Sequence, residues 1–283
     1  MLYGFIIGAV MIFAYARWLE PRRLRVEDVE IAIPGLDSPL DGLTILHLSD
    51  LHQARFGREQ KGLLAAIRQD YQLAVITGDF LTDLASYDFN PTAQLLAGLK
   101  PPIFVVLGNH DYPQEELLEA DLRKAGAIPL RNACATVEHL GLQVAGVEDP
   151  HWAKLNPLSP YRPDLADTLA GAKEGMFTLL LSHSPEIHAQ AALAQIPLVL
   201  AGHTHGGQVK IPLLGAPITA SGRFFDSYVQ GLYRKEKTLL YINRGLGTSG
   251  LPLRFLSPPE VSFIRLKRVW NAAPYSRNWI NRF

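Results

Sequence analysis

Short apolar runs separated by polar stretches constrain the fold of this chain more than any other feature of its sequence. Eight runs rich in Val, Ile, Leu and Phe recur between residues 43 and 266. Runs this short and this apolar are typical of strands that are buried on both faces. The predicted strands are Leu43–Leu48, Leu73–Thr77, Ile103–Leu107, Leu142–Val147, Phe177–Leu181, Leu198–Ala201, Leu239–Ile242 and Val261–Leu266.

Helical stretches alternate with many of these runs. Pro113 stands near the start of one of them and Ser184 precedes another, as expected of residues that begin helices. The predicted helices are Arg58–Gln69, Thr92–Leu99, Pro113–Lys124, Asp164–Ala172 and Pro185–Ala194. This alternation predicts an α/β fold in which helices cover a largely buried sheet.

Composition excludes several classes of protein. The 283 residues suffice for one large domain or two small ones, which argues against a fibrous or disordered chain. The 27 Lys and Arg residues balance the 27 Asp and Glu residues, so no overall basic charge favours nucleic acid, and no nucleic-acid partner is expected. The single cysteine, Cys134, cannot form an internal disulfide.

The amino-terminal segment predicts a membrane anchor. No residue from Leu2 to Ala16 is charged, and a helix of that length spans about 22 Å, short of the roughly 30 Å hydrocarbon core unless Trp18 and Leu19 extend it. A cleaved signal peptide is the alternative, because Ala14-Tyr15-Ala16 resembles a cleavage site. Against it, the first residues contain no Lys or Arg and four arginines follow the apolar stretch. Those arginines also predict that the rest of the chain lies in the cytoplasm.

The two ends of the chain are basic and the part between them is acidic. Residues 1–25 carry four arginines against Glu20, and residues 260–283 carry five basic residues against Glu260. Basic ends fit contact with anionic lipid, although solvated tails would show the same charges. We therefore divide the chain into an anchor with its basic flank (1–25), a folded domain (26–266) and a basic aromatic tail (267–283) containing Trp270, Tyr275, Trp279 and Phe283.

Polar clusters follow five of the predicted strands. The clusters are Asp50-Leu51-His52, Gly78-Asp79, Gly108-Asn109-His110-Asp111, His183 and Gly202-His203-Thr204-His205. Ligands of open α/β sheets bind outside the carboxyl ends of the strands, so the clusters are expected to meet in one crevice. Any one of them alone would be read as a turn or a helix cap. Five such clusters in this order predict a functional site.

The residue types in these clusters select metal chemistry. Carboxylate, imidazole and amide groups suit manganese, iron, zinc or cobalt, and no cysteine is close enough to favour a structural zinc site. Asp50 and His52, like His203 and His205, are two residues apart and would face the same way in extended backbone. There are more candidate ligands than one ion needs, and Asp79 is the natural bridge. This composition indicates a hydrolytic centre with two divalent ions, with manganese as the first choice.

In order and spacing, the five clusters resemble the motifs of the calcineurin-like metallophosphoesterases. The resemblance implies a four-layer α/β/β/α sandwich with the metal site at its edge. It implies one ion held by Asp50, His52, Asp79 and His205, and a second held by Asp79, Asn109, His183 and His203. It also implies that His110 protonates the leaving group and that Asp111 orients His110.

Together with the anchor, the segments Gly202–Gln208 and Asn243–Arg254 look most like a membrane-anchored bacterial phosphodiesterase branch of that family, which would place the chain at the bacterial inner membrane. That branch includes pyrophosphatases that cleave UDP-2,3-diacylglucosamine to lipid X and UMP, so a lipid-linked nucleotide at the membrane is the expected substrate. A generic phosphodiesterase or phosphatase and a non-catalytic binding module are the alternatives. The candidate substrate residues are Arg223, Phe224, Asn243, Arg244 and Arg254. Loop packing or salt bridging is the competing role for each of them.

Overall fold

Two six-stranded sheets form the body of the protein. The computed structural model describes residues 2–82, 87–217 and 226–270. The strands within these residues are β1 Arg25–Pro34, β2 Thr44–Leu48, β3 Leu73–Thr77, β4 Ile103–Val106, β5 Ile128–Pro129, β6 Ala133–Val137, β7 Leu142–Gly146, β8 Phe177–Leu181, β9 Leu198–Ala201, β10 Gly231–Lys235, β11 Thr238–Ile242 and β12 Glu260–Val269. All eight predicted strands are confirmed, with ends that differ by a few residues.

Strand order places the predicted site at one edge of both sheets. The first sheet runs β1-β12-β2-β3-β4-β5 and the second runs β10-β11-β9-β8-β7-β6. Within the first sheet β2, β3 and β4 are parallel, and within the second β7, β8, β9 and β11 are parallel. Parallel neighbours end at the same edge, so the polar clusters that follow these strands are brought together.

Side chains that point alternately to the two faces of the central strands build a layered core. One set of side chains fills the space between the two sheets, among them Ile45, Val75, Val106, Val144, Leu179 and Leu200. Their neighbours point to the outer faces, where Leu46, Ile76 and Val105 pack with helical residues such as Leu63, Leu95 and Leu118. On the other sheet Leu180 and Val199 pack with Ile187 and Ala191. Both faces of each sheet are therefore buried, which confirms the four-layer α/β/β/α arrangement.

The α-helices are shorter than the sequence predicted. They are α1 Leu2–Ala14, α2 Lys61–Ala66, α3 Asn90–Leu96, α4 Glu115–Lys124, α5 Pro150–Leu155, α6 Leu165–Ala170 and α7 His188–Leu193. The helix predicted from Arg58 begins with a single 3-10 turn and ends at Ala66, where Ile67 leaves helical geometry. The helix predicted from Asp164 begins at Leu165. Asp164 precedes it as the N-cap, and its side chain accepts from the Asp167 N–H. Helix α5 was not predicted.

One amino-terminal helical segment is long and apolar enough to cross a membrane. Helix α1 continues as a π-helical turn over Tyr15–Leu19 and a 3-10 turn over Glu20–Arg22. The apolar stretch Tyr3–Arg22 has 20 residues, about 30 Å at 1.5 Å per residue, and 11% of its most apolar window is buried. A signal sequence has the same length and composition. The base of this segment packs on the loop before β12, where Ala16 and Glu20 are buried.

Candidate metal centre

The side chains predicted as metal ligands come together where the carboxyl edges of the two sheets meet. Asp50 and His52 follow β2, Asp79 follows β3, Asn109 follows β4, His183 follows β8, and His203 and His205 follow β9. The two sheets are joined directly here, since the His203 N–H donates to Asp50 Oδ1 at 3.0 Å. The convergence predicted from the strand ends is therefore what the structure shows.

The backbone at these residues is left-handed, and the expectation of extended backbone is wrong. The φ angles are 48° at Asp50, 43° at His52, 53° at Asp79, 71° at His203 and 52° at His205. Positive φ is uncommon for residues other than glycine, and such conformations cluster at functional sites where the surroundings hold them. These tight turns aim the side chains back over the strand ends, which straight backbone would not do.

Two groups of side chains could each hold a metal ion. The first is Asp50, His52, Asp79 and His205, and the second is Asp79, His183 and His203, with the ligand atoms of each group within 4.8 Å of one another. Asp79 belongs to both groups. Its Oδ2 lies 3.4 Å from His52 Nε2 and 3.2 Å from His183 Nε2.

The spacing of these atoms fits coordination by a cation. His52 Nε2 and His205 Nε2 are 3.2 Å apart, and His205 Nε2 is 3.4 Å from Asp50 Oδ1. Two ligand atoms that lie about 2.1 Å from one ion, at tetrahedral to octahedral angles, are separated by about 3.0 to 3.4 Å. The Asn109 Oδ1 is buried and has no hydrogen-bond partner among the described residues. A divalent cation bound among these atoms would give Asn109 Oδ1 the partner that it lacks, so the residues present fit the metal that the motifs predict.

Backbone carbonyls from one loop fix the orientation of the histidine rings. The loop runs from Thr77, the last residue of β3, to Thr82. His183 Nδ1 lies 2.7 Å from Thr77 O, and His52 Nδ1 lies 2.9 Å from Leu81 O. Because a carbonyl only accepts, each Nδ1 carries a proton, and Nε2 is the ring atom that faces Asp79. Such partners select the ligating tautomer and were not read from the sequence.

Burial keeps several of these imidazoles neutral. Burial lowers the pKa of His52 to about 4 and the pKa of His203 to about 3, and it lowers the pKa of His205 well below the usual value. The pKa of His183 is different, because burial lowers it but the Asp79 carboxylate outweighs burial and raises it well above the usual value. A metal ion binding here must therefore displace a proton from His183, whereas the other three rings carry no positive charge to repel the ion.

His110 lies beside the two groups without belonging to either. Its Nδ1 is 3.0 Å from Thr82 O, its backbone N–H donates to Asp79 Oδ1 at 3.0 Å, and its ring centroid is 5.1 Å from that of His52. Its Nε2 lies 3.3 Å from Ser249 Oγ. The Thr82 carbonyl thus engages Nδ1, and Nε2 is the ring atom that remains to face a leaving group.

Asp111 does not orient His110, and that part of the prediction is wrong. Its Oδ1 accepts from the N–H groups of Phe80 and Leu81 at 2.9 and 3.0 Å, and its Oδ2 accepts from the Gly108 N–H at 2.8 Å. Asp111 is fully buried. Its carboxylate ties the loop after β3 to the loop after β4, which fixes the backbone of Asp79 and His110 instead of touching substrate.

Three of the predicted substrate residues support the fold instead. Arg244 is buried against Glu260 and donates to Glu27 at 2.7 Å, which is the salt-bridging role that the sequence left open. Arg254 is completely buried and donates to the carbonyls of Gly247, Ser257, Arg244 and Gly245. The Asn243 amide nitrogen donates to His47 O and Ser262 Oγ, and its Oδ1 accepts from the Gly245 N–H. These contacts give each of the three a structural role, and phosphate binding by any of them stays a prediction.

The other two predicted substrate residues, Arg223 and Phe224, lie outside the described residues. The same is true of Tyr275, Trp279 and Phe283 in the carboxyl tail.

His151 lies beside the centre and is not one of the predicted ligands. Its ring lies 4.4 Å from that of His203, centroid to centroid, and its Nδ1 is 3.7 Å from Glu186 Oε1. The signal was available, because His151 follows β7 much as the ligands follow their own strands. Its ring packs on that of His203, and so it supports the candidate ligand.

Gly108 is required by the close approach of the two site loops. A methyl group on Gly108 would lie 2.2 Å from Asp79 Oδ1. We expect Gly108→Ala to displace the Asp79 carboxylate and to weaken Mn²⁺ binding by about 10- to 100-fold, as misplaced support of a ligand does. Titration calorimetry of the metal-free protein measures this directly.

The matched control is Gly171→Ala. Gly171 has a φ of −93° and nothing within 4 Å of the added methyl group, so Mn²⁺ binding should not change. Parental Mn²⁺ affinity in Gly108→Ala would contradict the assignment of Asp79 as a ligand.

A buried cluster of carboxylates and imidazoles that share one aspartate, at the edge of a two-sheet α/β fold, is the arrangement of a metal-dependent hydrolase. The chain belongs to the calcineurin-like phosphoesterase family, whose profile matches residues 43–207.

The relatives agree with this class. The uncharacterized metallophosphoesterase YkuE of Bacillus subtilis is 31% identical over 263 residues, which cover 90% of each chain. Phosphodiesterase YaeI of Escherichia coli is 28% identical over 78% of this chain and 81% of its own. A protein of Danio rerio named transmembrane protein with metallophosphoesterase domain is 31% identical over 87% of this chain, which spans 58% of that longer protein. The protein is thus a metal-dependent phosphoesterase.

Proposed function

We propose that this phosphoesterase uses two divalent metal ions, most favourably Mn²⁺, to hydrolyse a phosphodiester or pyrophosphate bond. The observation that carries the proposal is the position of Asp79, whose Oδ2 lies within 3.4 Å of a histidine from each candidate group. One carboxylate shared by two ligand groups is the geometry of a bridged pair of ions. Iron, zinc and cobalt suit the same donors.

When bound, two ions would activate a water molecule near neutral pH and neutralise charge on the phosphoryl oxygens. The chain's own residues supply the rest. In its doubly protonated form His110 donates the Nε2 proton to the departing oxygen and keeps the Nδ1 proton on the Thr82 carbonyl. Asp111 holds the two loops that carry Asp79 and His110 in register. The non-catalytic alternative would require a damaged site, and here every predicted ligand is present.

We further propose a lipid-linked nucleotide as substrate, with UDP-2,3-diacylglucosamine, cleaved to lipid X and UMP, as the first choice. The amino-terminal helix supports a substrate that resides in a membrane. The name of the relative YaeI supports phosphodiester hydrolysis in general, so a generic phosphodiesterase is the second candidate. In both cases the bond is broken at phosphorus and water is the co-substrate.

The proposed location is the bacterial inner membrane, with the catalytic domain in the cytoplasm. Arg17, Arg22 and Arg23 follow the uncharged stretch Leu2–Ala16, and basic residues at the end of a span favour the cytoplasmic side. Accessibility of the domain to protease in spheroplasts, compared with inverted membrane vesicles, tests this orientation.

The substrate is tested by incubating detergent-purified protein with Mn²⁺ and UDP-2,3-diacylglucosamine and measuring UMP. We expect release by the parent and none by Asp79→Ala. Absence of UMP while bis(p-nitrophenyl) phosphate is still cleaved would remove this substrate and keep the two-metal reaction. Absence of both activities in protein that carries its metals would overturn the proposed reaction.

A further inference from the structure

Two loops at the mouth of the metal centre expose only apolar residues. In residues 208–217 and 249–256, every exposed side chain is Ile, Leu or Pro, and Gly250 is exposed with them. We call the exposed side chains Ile211, Pro212, Leu213, Leu214, Leu251, Pro252 and Leu256 the apolar rim. Leu213 is fully exposed, and Leu214 and Leu251 are exposed by more than half. A contiguous apolar surface beside a site marks an interaction surface, whereas single exposed leucines do not.

The two loops form one surface. Val209 pairs with Phe255 in a short parallel bridge, and the Lys210 N–H donates to Phe255 O at 2.8 Å. The Gln208 side chain donates to Ser249 O at 3.0 Å and to Leu251 O at 2.7 Å. The rim is therefore held in place by hydrogen bonds that do not depend on its exposed side chains.

The same surface is joined to the base of the amino-terminal helix. The Arg254 N–H donates to Ala16 O at 2.9 Å, and the Ser257 N–H donates to Glu20 Oε1 at 2.7 Å. The ring of Tyr15 packs edge-on against Phe255 at 6.4 Å. These contacts place the rim beside the last turns of the apolar stretch.

The end of the helical segment that contacts the rim has the residue types of a membrane interface. Arg17 lies over the ring of Trp18, and Arg23 donates to the Tyr15 hydroxyl at 3.0 Å. Tyr, Trp and Arg are characteristic of the headgroup region, where one end of a side chain is apolar and the other is solvated. If Leu2–Ala14 lie in hydrocarbon, the residues that contact Ala16 lie at the headgroups.

We propose that the apolar rim inserts into the bilayer interface, so that the mouth of the metal centre opens at the level of the lipid headgroups. The rim and the centre are adjacent, because Ser249 Oγ lies 3.3 Å from His110 Nε2 and Gln208 follows His205 by one short turn. The consequence for catalysis rests on the proposed function: phosphoesters of membrane lipids are cleaved without leaving the bilayer. The partner is the lipid surface itself.

Depth-dependent quenching tests the insertion without any activity. Full-length protein carrying Cys134→Ser is labelled with a polarity-sensitive fluorophore at Leu213→Cys, Leu251→Cys or Leu193→Cys and reconstituted in phosphatidylglycerol vesicles containing a nitroxide lipid. Leu193 is the control, because it is 82% exposed at the end of α7, which leads to the opposite edge of the sheets. We expect quenching at Leu213 and Leu251 and none at Leu193. Equal quenching at all three positions overturns the proposal. A change in the fluorescence of the label at Leu213 that depends on protein concentration in the absence of lipid also overturns it, because such a change indicates contact with a second copy of the chain.

Two substrates with one leaving group test the catalytic consequence. Methyl p-nitrophenyl phosphate is soluble, and its long-chain alkyl analogue partitions into the vesicles. Adding charge with Leu213→Asp and Leu214→Asp should lower kcat/KM for the long-chain ester by about tenfold relative to the methyl ester, because two side chains lose their apolar contact. Leu193→Asp should leave that ratio unchanged. An unchanged ratio in the rim variant contradicts the proposal, whereas failure of the parent to cleave either ester refutes the proposed function and leaves the quenching result to decide the rim.

Discussion

Replacing Asp79 with alanine is expected to remove both of the proposed metal ions and to reduce phosphodiester turnover by about 10³-fold or more, because several kcal/mol of charge stabilisation depend on the ions. Asp79 is the one carboxylate common to the two candidate ligand groups. Its loss takes a ligand from each group at once. Metal content after dialysis, measured by mass spectrometry, and hydrolysis of bis(p-nitrophenyl) phosphate provide independent readouts.

The reason for so large an effect lies in how Asp79 is held. Burial raises the pKa of Asp79, but the charge of His183 outweighs it and keeps the pKa well below the usual value, so the carboxylate is ionised when it meets a cation. Its Oδ1 is also tied to the His110 N–H at 3.0 Å. The alanine variant therefore loses the bridge and loosens the loop that carries His110.

Two further variants separate these contributions. Asp79→Asn keeps the size of the side chain and an acceptor for the His110 N–H, so metal loss in this variant is due to the missing charge. Asp70→Ala removes an exposed carboxylate that pairs with Lys100 and should change neither metal content nor turnover. Retention of one ion by Asp79→Ala would assign Asp79 to a single group, and retention of both would refute the bridge.

The parts of the fold that the sequence predicted are those buried on both faces. Strands β2, β3 and β4 are continuous apolar runs because they lie between two packed layers, and such runs are recognisable without knowledge of their partners. Strand β1 was missed because Glu27, Asp28 and Glu30 interrupt its pattern. It is an edge strand, and its ten-residue register with β12 depends on a segment more than 200 residues away in the chain.

The candidate site, like the fold, could be predicted from the sequence only in part. The ligands could be predicted because each follows a strand, and the carboxyl ends of parallel strands share an edge. The contacts that orient these ligands could not be predicted. Asp111 accepts from backbone N–H groups, and the Leu81 carbonyl fixes the His52 ring. Arg244 illustrates the limit, because its partner Glu27 is 217 residues away and only the folded chain brings the two together.

Replacing His110 with alanine is expected to leave both metal ions bound and to slow turnover by about 10²- to 10⁴-fold, the usual contribution of a positioned proton donor. The His110 side chain is absent from both candidate ligand groups, which is why metal content should not change. Imidazoles as a class exchange protons near neutral pH, so a histidine beside a leaving group suits this task. His139→Ala, which removes an exposed histidine, is the control for both measurements.

The dependence on the leaving group distinguishes proton donation from positioning. A p-nitrophenolate leaves without help, whereas an alkoxide must be protonated as its bond to phosphorus breaks. If His110 is the donor, His110→Ala will slow alkyl phosphodiesters by a much larger factor than p-nitrophenyl esters, and the slope of log kcat against leaving-group pKa will become steeper. An equal loss on both kinds of ester would mean that His110 only positions substrate, and parental rates on both would remove it from the reaction.

Ser249 makes the assignment of Nε2 itself testable. Its hydroxyl lies 3.3 Å from His110 Nε2, on the same side of the ring that the Thr82 carbonyl leaves free. Ser249→Ala should therefore alter the rate far less than His110→Ala and leave the leaving-group slope as in the parent, because the proton remains on the ring. A steep slope in Ser249→Ala would show instead that the hydroxyl relays the proton, and that the donor reaches the leaving oxygen through Ser249.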